Sequence, residues 1–246
     1  MRDIKEDDKY SWLRSRPFLH RGFHNEHIKE NTLVAFNEAV KRGFPFEFDV
    51  RLTRDQQVIC FHDWSLKRMF NLDKRVDELS YEELNNIDPL FHFPLFTEVL
   101  ELVDGKAGLM IEVKNDGKIG VLESKVIEIL KGYKGNYAIV SFNPLSLNYF
   151  RINAPEIIRG QISSKFSDSK KSKLRKHLAS KMRFNFISKP DFISYDINDF
   201  DENTIKNLKE KGYYIFGWTY RGSDNTEKLK ELFDNVIFED IEIERF

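Results

Sequence analysis

Residues 46–63 read FEFDVRLTRDQQVICFHD, two short apolar runs on either side of a polar stretch. The connection between the runs at 46–50 and 58–62 is too short for a helical crossover, so the runs are predicted to form an antiparallel hairpin. A turn centred on Asp55 and Gln56 gives pairs whose numbers sum to 111 and places Asp49 opposite His62. This hairpin decides how the other strands are counted.

Seven further apolar runs surround the hairpin, and helical patterns separate most of them. This alternation is typical of a parallel sheet with crossover helices. Strands are predicted at 18–22, 46–50, 58–62, 109–114, 137–142, 157–162, 191–196, 214–219 and 236–240. Helices are predicted at 32–42, 80–87, 95–103, 119–130, 145–152, 202–211 and 224–233. With the hairpin counted once, the pattern predicts an α/β fold, a (β/α)8 TIM barrel, as a single domain over residues 1–246.

The composition indicates a packed domain and excludes some classes of binding partner. The 246 residues are 41% hydrophobic and 14% aromatic, which excludes an unfolded chain. The 39 Lys plus Arg balance 40 Asp plus Glu, so the net charge of -1 provides no field to recruit nucleic acid. A single cysteine, Cys60, excludes a disulfide framework and a cysteine metal cluster. We expect a soluble, cytoplasmic protein with no transmembrane segment, and the composition leaves its oligomeric state open.

The segment 165–189 differs from the rest of the chain in charge. It carries nine basic residues and one acidic residue, Asp168, and Leu174, Leu178 and Met182 share one helical stripe. It follows the sixth predicted strand, where a barrel places loops of the catalytic rim. Two interpretations stay open: a solvated helix whose apolar side lies on the barrel, or a basic flap that attracts a phosphate-bearing substrate or a membrane surface.

Acidic side chains occupy the carboxyl ends of two predicted strands. Glu47 and Asp49 are two residues apart and project to the same face, as do Glu112 and Lys114. Because like charges inside a barrel mouth repel unless neutralised, the three carboxylates indicate a divalent cation site. Oxygen ligands alone favour Ca²⁺ or Mg²⁺ over zinc. The alternative is that each carboxylate pairs with an Arg or Lys of the barrel wall.

Two of the six histidines, His20 and His62, end predicted strands. Imidazole titrates near neutral pH, so two of them on opposite sides of a phosphorus can serve as base and acid in an in-line displacement. Arg21 and Lys114 supply positive charge for phosphate oxygens in this interpretation. The alternative for either histidine is a hydrogen-bonded core residue.

The order and spacing of these motifs resemble the signature of the glycerophosphodiester phosphodiesterases over about residues 18–240. The matching blocks are His20-Arg21-Gly22, Glu30-Asn31-Thr32 with Ala35-Phe36 and Ala39, Gly43, Glu47-Phe48-Asp49-Val50, Thr53, Asp55, His62-Asp63, Glu112-Val113-Lys114, Ser141-Phe142, Gly217-Trp218-Thr219 and 236–240. The resemblance implies a (β/α)8 barrel with the following site residues: metal ligands Glu47, Asp49 and Glu112, an acid/base pair His20 and His62, and phosphate contacts Arg21 and Lys114.

The reaction that the resemblance implies is hydrolysis of a small glycerophosphodiester to sn-glycerol 3-phosphate and an alcohol such as choline. His20 is assigned as the base and His62 as the acid, and the two exchange roles in a second, hydrolytic step. Trp218 either forms a wall of the glycerol pocket or belongs to the core. Two alternatives stay open: a lysophospholipase D-like enzyme that reaches a membrane surface through 165–189, and a barrel that binds glycerol phosphates without turning them over.

Two blocks depart from the family's pattern. After Asp63 many relatives carry a Thr-Gly pair, where this chain has WSLKRMF at 64–70, so the entry loop is expected to differ. Two residues after its final Asp the family usually has Pro, where this chain has Glu242. Asn31 and Thr32 are expected to act first as a helix cap and second as support for the site.

Overall fold

Eight parallel strands form a closed ring in which the first and last strands are hydrogen-bonded to each other. The computed structural model describes residues 1–115, 117–167, 173–222 and 226–241. The strands are β1 Phe18–Leu19, β2 Phe46–Leu52, β3 Val58–Cys60, β4 Leu109–Val113, β5 Tyr137–Ser141, β6 Ile158–Ser163, β7 Phe192–Asp196, β8 Tyr214–Tyr220 and β9 Asn235–Phe238. Around the ring the order is β1, β2, β4, β5, β6, β7, β8 and β9, and β9 returns to β1. The predicted (β/α)8 TIM barrel is confirmed.

Helices connect most of the strands. They are α1 Ser11–Ser15, α2 Leu33–Lys41, α3 Lys67–Phe70, α4 Tyr81–Asn85, α5 Phe96–Val103, α6 Val121–Leu130, α7 Pro144–Asn153, α8 Lys173–Ser180, α9 Asn185–Ser188, α10 Glu202–Glu210 and α11 Thr226–Leu232. The predicted start of the last helix, at 224–225, lies outside the described residues. The sequence did not predict α1, α3 and α9, which are too short to show an apolar period. In the described ranges no helix is long and apolar enough to cross a bilayer.

The β2–β3 hairpin is antiparallel as predicted, but its predicted register is wrong by one residue. The observed pairs sum to 110, as in Val50 with Cys60. The loop has three residues instead of two, and the last of them, Gln56, adopts the left-handed conformation (φ 63°) that closes such loops. Asp49 therefore lies opposite Phe61, whose backbone N–H donates to the Asp49 carbonyl.

Interior side chains change from apolar to polar along the strands of the barrel. In β4, Met110 belongs to the apolar interior cluster, and Glu112 is the next side chain on the same face. Phe18 in β1 likewise belongs to that cluster, and His20 follows it two residues later. This alternation brings polar side chains from separate strands together at the carboxyl end of the barrel.

The amino-terminal segment packs against the opposite end of the barrel. Ile4, Tyr10 and Leu13 are buried and belong to the same cluster as the apolar interior residues of the strands. The Asn235 side chain, at the start of β9, donates to the Leu13 carbonyl at 3.0 Å. The segment thus seals the end of the barrel that lies away from the polar side chains.

The basic segment 165–189 contains α8 and α9 within its described part, and Asp168 lies outside that part. The predicted stripe is only partly buried: Met182 is buried but follows the end of α8, and Leu174 is 69% exposed. The three residues therefore do not form one buried helical stripe, because α8 ends before Met182, and both interpretations of the segment stay predictions.

Candidate active site

The polar ends of the strands surround one cavity of about 230 Å³. Seven of the eight predicted site residues line it: His20, Arg21, Glu47, His62, Glu112, Lys114 and Trp218. The eighth, Asp49, is buried beside them. The structure therefore brings all eight residues together at the carboxyl end of the barrel.

The carboxylates of Glu47, Asp49 and Glu112 form a buried cluster. Each offers one oxygen, and the three oxygens lie within 4.8 Å of one another. Lys114 Nζ lies 2.7 Å from Glu112 Oε1 and 3.2 Å from Asp49 Oδ1. Arg21 Nε lies 3.3 Å from Asp49 Oδ2. Asp49 and Glu112 therefore pair with basic residues of the barrel wall, as the alternative to a cation site predicted.

Glu47 differs from the other two carboxylates in its partners. Its Oε2 accepts a hydrogen bond from the Arg21 backbone N–H at 3.3 Å, and His20 Nε2 lies 3.9 Å away. Burial, together with repulsion from Asp49 and Glu112, raises the pKa of Glu47 well above its usual range. Arg21 and Lys114 oppose this shift but do not cancel it, so the ionised form of Glu47 is disfavoured in the cluster.

Asp49 is held in its ionised form. Burial opposes ionisation, but the charges of Lys114, His62 and Arg21 and a hydrogen bond from Asn31 keep the pKa of Asp49 well below its usual range. Asn31 Nδ2 donates to Asp49 Oδ2 at 2.8 Å. Thr32 rather than Asn31 caps α2, since its Oγ1 accepts from the Ala35 N–H.

Both cavity histidines have a carboxylate at Nδ1. His62 Nδ1 lies 2.7 Å from Asp63 Oδ1, and His20 Nδ1 contacts Glu239 Oε2. Burial lowers the pKa of His20 to about 4 against the opposing effect of Glu239. His20 is therefore a neutral imidazole near pH 7.

A chain of ion pairs connects the two sides of the cavity. Arg68 Nε lies 2.6 Å from Asp63 Oδ2, and Arg68 Nη2 lies 2.6 Å from Glu30 Oε1. Glu30 Oε1 also accepts from Arg21 Nη1 at 2.9 Å. His62, through Asp63, is thus linked to Arg21, which also contacts the carboxylate cluster.

Aromatic rings form part of the cavity wall. Trp218 and Phe142 both line the cavity, and their rings meet edge to face at 5.7 Å between centroids. Trp218 Nε1 is buried and has no hydrogen-bond partner in the part of the chain that the structure describes. Trp218 therefore presents an unpaired donor within the wall of the cavity, as well as apolar surface.

Several residues that hold the cavity residues in place were not assigned a role from the sequence. Glu30 and Asp63 belong to the matching motifs, so the sequence contained a signal for them. Glu239 also lies in a matching block, 236–240, but local spacing does not show its contact with His20, which lies 219 positions away. Arg68 lies outside the matching blocks, and it pairs with Asp63, five positions away, and with Glu30, 38 positions away. Only the closed barrel brings the two distant pairs together.

Known proteins resemble this chain in both sequence and fold. The family model for the glycerophosphoryl diester phosphodiesterase family matches residues 20–242. A glycerophosphodiester phosphodiesterase of Caldanaerobacter subterraneus subsp. tengcongensis is 28% identical over 94% of this chain and 96% of its own length. One of Bacillus altitudinis is 34% identical over 57% of this chain and 63% of its own length.

Solved structures give the same result. The crystal structure of the glycerophosphodiester phosphodiesterase from Thermotoga maritima has a TM-score of 0.71 at 26% identity, and the match covers 90% of this chain and 92% of that one. This similarity agrees with the family model, which matches most of the chain, and shows the same barrel fold. The chain belongs to the glycerophosphoryl diester phosphodiesterase family.

Proposed function

We propose that this enzyme hydrolyses glycerophosphodiesters to sn-glycerol 3-phosphate and an alcohol. The observation that carries the proposal is the convergence of three carboxylates and two carboxylate-held imidazoles at one mouth of a family barrel. Carboxylates suit a hard cation, and imidazoles suit proton transfer near neutral pH. Hydrolysis of a small phosphodiester uses a cation and proton-transfer groups around the same phosphorus atom.

Glu47, Asp49 and Glu112 would hold the divalent cation, Ca²⁺ or Mg²⁺. The donor set is entirely oxygen, as both ions prefer. Asp49 Oδ1 is buried and accepts no hydrogen bond from any residue within the described ranges, although Lys114 Nζ lies 3.2 Å away. When bound, the cation neutralises the carboxylates and stabilises negative charge that develops on the phosphate.

His20 acts as the base and His62 as the acid of the first step. His20 takes the proton of the substrate's 2-hydroxyl, whose oxygen attacks phosphorus and forms a cyclic phosphate, while His62 protonates the departing alcohol. In the second step His62 takes a proton from the attacking water, and His20 returns its proton to the 2-oxygen as the ring opens. The neutral form of His20 near pH 7 supports its assignment as the base.

Arg21, Lys114 and Trp218 bind the substrate in this proposal. The side chains of Arg21 and Lys114 line the same cavity as the carboxylates and the imidazoles, so phosphate oxygens placed there meet fixed positive charge. Trp218 lies in the aromatic wall of the cavity. Its ring offers apolar surface to the glycerol carbons of the substrate, and its unpaired Nε1–H can donate to a substrate oxygen.

The test is release of sn-glycerol 3-phosphate from glycerophosphocholine, glycerophosphoethanolamine and glycerophosphoglycerol by the purified protein. We expect EDTA to abolish the release and Ca²⁺ or Mg²⁺ to restore it. Activity that is indifferent to EDTA would contradict the cation site. Failure to release product from any of the three diesters with either ion would overturn the proposed function.

A lysophospholipase D-like activity is the second candidate, and one observation favours it. An apolar cavity of about 400 Å³ adjoins the first, and Phe142 and Ile162 line both. Leu145, Met182 and Ile187 are among its other lining residues. A single acyl chain attached to the glycerol would find apolar surface there. Turnover of lysophosphatidylcholine but not of glycerophosphocholine would establish this candidate in place of the first.

The rim segment 165–189 is proposed to contact membrane surfaces from a cytoplasmic location. Leu174 and Phe186 are 69% and 72% exposed on α8 and α9, in a segment whose sequence carries nine basic residues. Cosedimentation with phosphatidylserine vesicles, but not with phosphatidylcholine vesicles, is the expected result. Phe186→Ser should weaken it, whereas Ile152→Ser, at an exposed position on α7, should not. Equal binding by both variants would contradict the proposal.

A further inference from the structure

Glu239 lies directly after β9, where the barrel closes onto β1. His20 N–H donates to the Phe238 carbonyl at 2.8 Å, and Glu239 N–H donates to the Tyr220 carbonyl at 3.1 Å. The backbone of Glu239 is thus fixed from both neighbouring strands. Its side chain is 10% exposed and meets His20 Nδ1.

The carboxylate of Glu239 is kept ionised by its own contacts. Arg221 pairs with it, and His24 Nε2 lies 3.5 Å from Oε2. Burial opposes ionisation, but the hydrogen bond from His20, the proximity of His24 and the charge of Arg221 hold the pKa of Glu239 well below its usual range. An ionised carboxylate can only accept hydrogen bonds, so His20 must donate from Nδ1.

A proton on Nδ1 of a neutral imidazole leaves a lone pair on Nε2. His20 Nε2 faces the carboxylate cluster, 3.9 Å from Glu47 Oε2, and His20 lines the site cavity. Glu239 is not among the residues that line that cavity, and its contact with the cavity runs through the His20 imidazole.

We infer that Glu239 is a positioning residue that fixes the tautomer and the ring orientation of His20, so that Nε2 is available as the base. This inference rests on the proposed diesterase function. It predicts that loss of the Glu239 charge lowers kcat while the KM for glycerophosphocholine stays nearly unchanged, because substrate contacts are untouched. The sequence offered no sign of this role, since Glu239 and His20 are 219 positions apart.

The first experiment measures the tautomer of His20 in the wild-type protein by ¹⁵N NMR of histidine-labelled protein, with the resonance assigned by its absence in His20→Asn. The expected result is the Nδ1–H tautomer. The Nε2–H tautomer would overturn the inference. Because this readout needs neither turnover nor a Glu239 variant, failure of the proposed function and failure of this inference are distinguishable.

The second experiment compares Glu239→Gln with the matched control Asp240→Asn. Asp240 also approaches Arg221 but is 58% exposed, and its contacts do not include His20. We expect Glu239→Gln to lower kcat by about 10²-fold, the lower end of the contribution of a positioned acid–base group, and to give a mixture of His20 tautomers. Asp240→Asn should change neither quantity. Unchanged kcat and unchanged tautomer in a folded Glu239→Gln would overturn the inference.

Discussion

Asn31 holds a predicted metal ligand from two sides. Its Nδ2 donates to Asp49 Oδ2, and its Oδ1 accepts from the Asp49 backbone N–H at 3.2 Å. Asn31 itself takes a left-handed backbone conformation with φ 54°, one residue before the Thr32 cap of α2. Asn tolerates this conformation better than most residues. The contacts of Asn31 therefore favour a role in supporting the site over a role as a helix cap.

His62→Ala is predicted to remove the acid of the first step. We expect kcat on glycerophosphocholine to fall by about 10²- to 10⁴-fold, because a positioned acid–base group contributes that much. His62 is 30% exposed, so the melting temperature should change little. His92→Ala is the control, since His92 contacts Glu98 and does not line the cavity. Comparable kcat in the two variants would contradict the role of His62.

Glu47→Gln is predicted to separate stability from activity. Burial and repulsion within the cluster raise the pKa of Glu47 and so disfavour its ionised form when no ion is bound, and the neutral amide should therefore cost little stability in EDTA. Ca²⁺ or Mg²⁺ should raise the melting temperature of the wild type, since an ion that binds only the folded state stabilises it. The variant should lose both this rise and its activity.

Differential scanning fluorimetry with and without each ion checks the Glu47 prediction. Glu101→Gln, at an exposed position on α5, is the control and should keep the ion-induced rise. A Glu47→Gln protein that still gains the wild-type increase in melting temperature would remove Glu47 from the ligand set.

Some residues of the site could be predicted from the sequence and others could not. Residues that line the cavity, such as Glu47 and Glu112, were predictable because strand alternation is a local property of sequence. Glu239 was not, because its role depends on which strand closes onto β1. Local spacing also left the hairpin register uncertain by one residue, since two- and three-residue loops fit the same polar stretch.

At the scale of elements, helix α10 is tied to the rim segment by its cap. Asp201 caps α10, with Oδ2 accepting from the Thr204 N–H at 2.9 Å. Lys181, between α8 and α9, also donates to Asp201 Oδ2 at 2.6 Å. This carboxylate therefore serves the helix terminus and the docking of the rim segment together.

The cap predicts a pH-dependent stability difference. Hydrogen bonds from Lys181 and Thr204 lower the pKa of Asp201 to about 2, against an unfolded value of about 3.9. Because the folded pKa is depressed, this stabilisation is present above about pH 4 and is lost as the pH falls toward 2. Asp201→Ala should cost about 1 kcal/mol at pH 7 and less at pH 3.

Urea unfolding at pH 7 and pH 3 measures this difference. Asp201→Asn is the control, because Asn caps helices about as well as Asp but carries no charge. Its stability relative to Asp201→Ala should not change between the two pH values. An Asp201→Ala penalty of the same size at both pH values would contradict the assigned cause.

At the scale of the whole molecule, the two ends of the barrel differ in the side chains that fill them. The amino end is filled by apolar side chains of the strands and of the amino-terminal segment, and the carboxyl end holds the polar cavity. The apolar packing and the polar cavity therefore lie at opposite ends of the barrel, as in barrel enzymes generally.

Leu13→Ala is predicted to affect stability and not turnover. Leu13 is fully buried at the amino end, so its truncation should lower the free energy of unfolding by about 2–5 kcal/mol. Well below the melting temperature, kcat should be unchanged. Leu90→Ala, at a position 97% exposed, is the control for stability and should stay within about 0.5 kcal/mol of the wild type. A large loss of kcat in folded Leu13→Ala would show that the two ends are coupled.

The contact between His20 and Glu239 joins the first strand of the barrel to the residue after the last one. During synthesis, the chain through Glu239 must therefore leave the ribosome before His20 can acquire this partner. Nascent chains and truncated fragments that stop short of β9 are expected to show no diesterase activity, even though they already contain the histidines and carboxylates of the cavity.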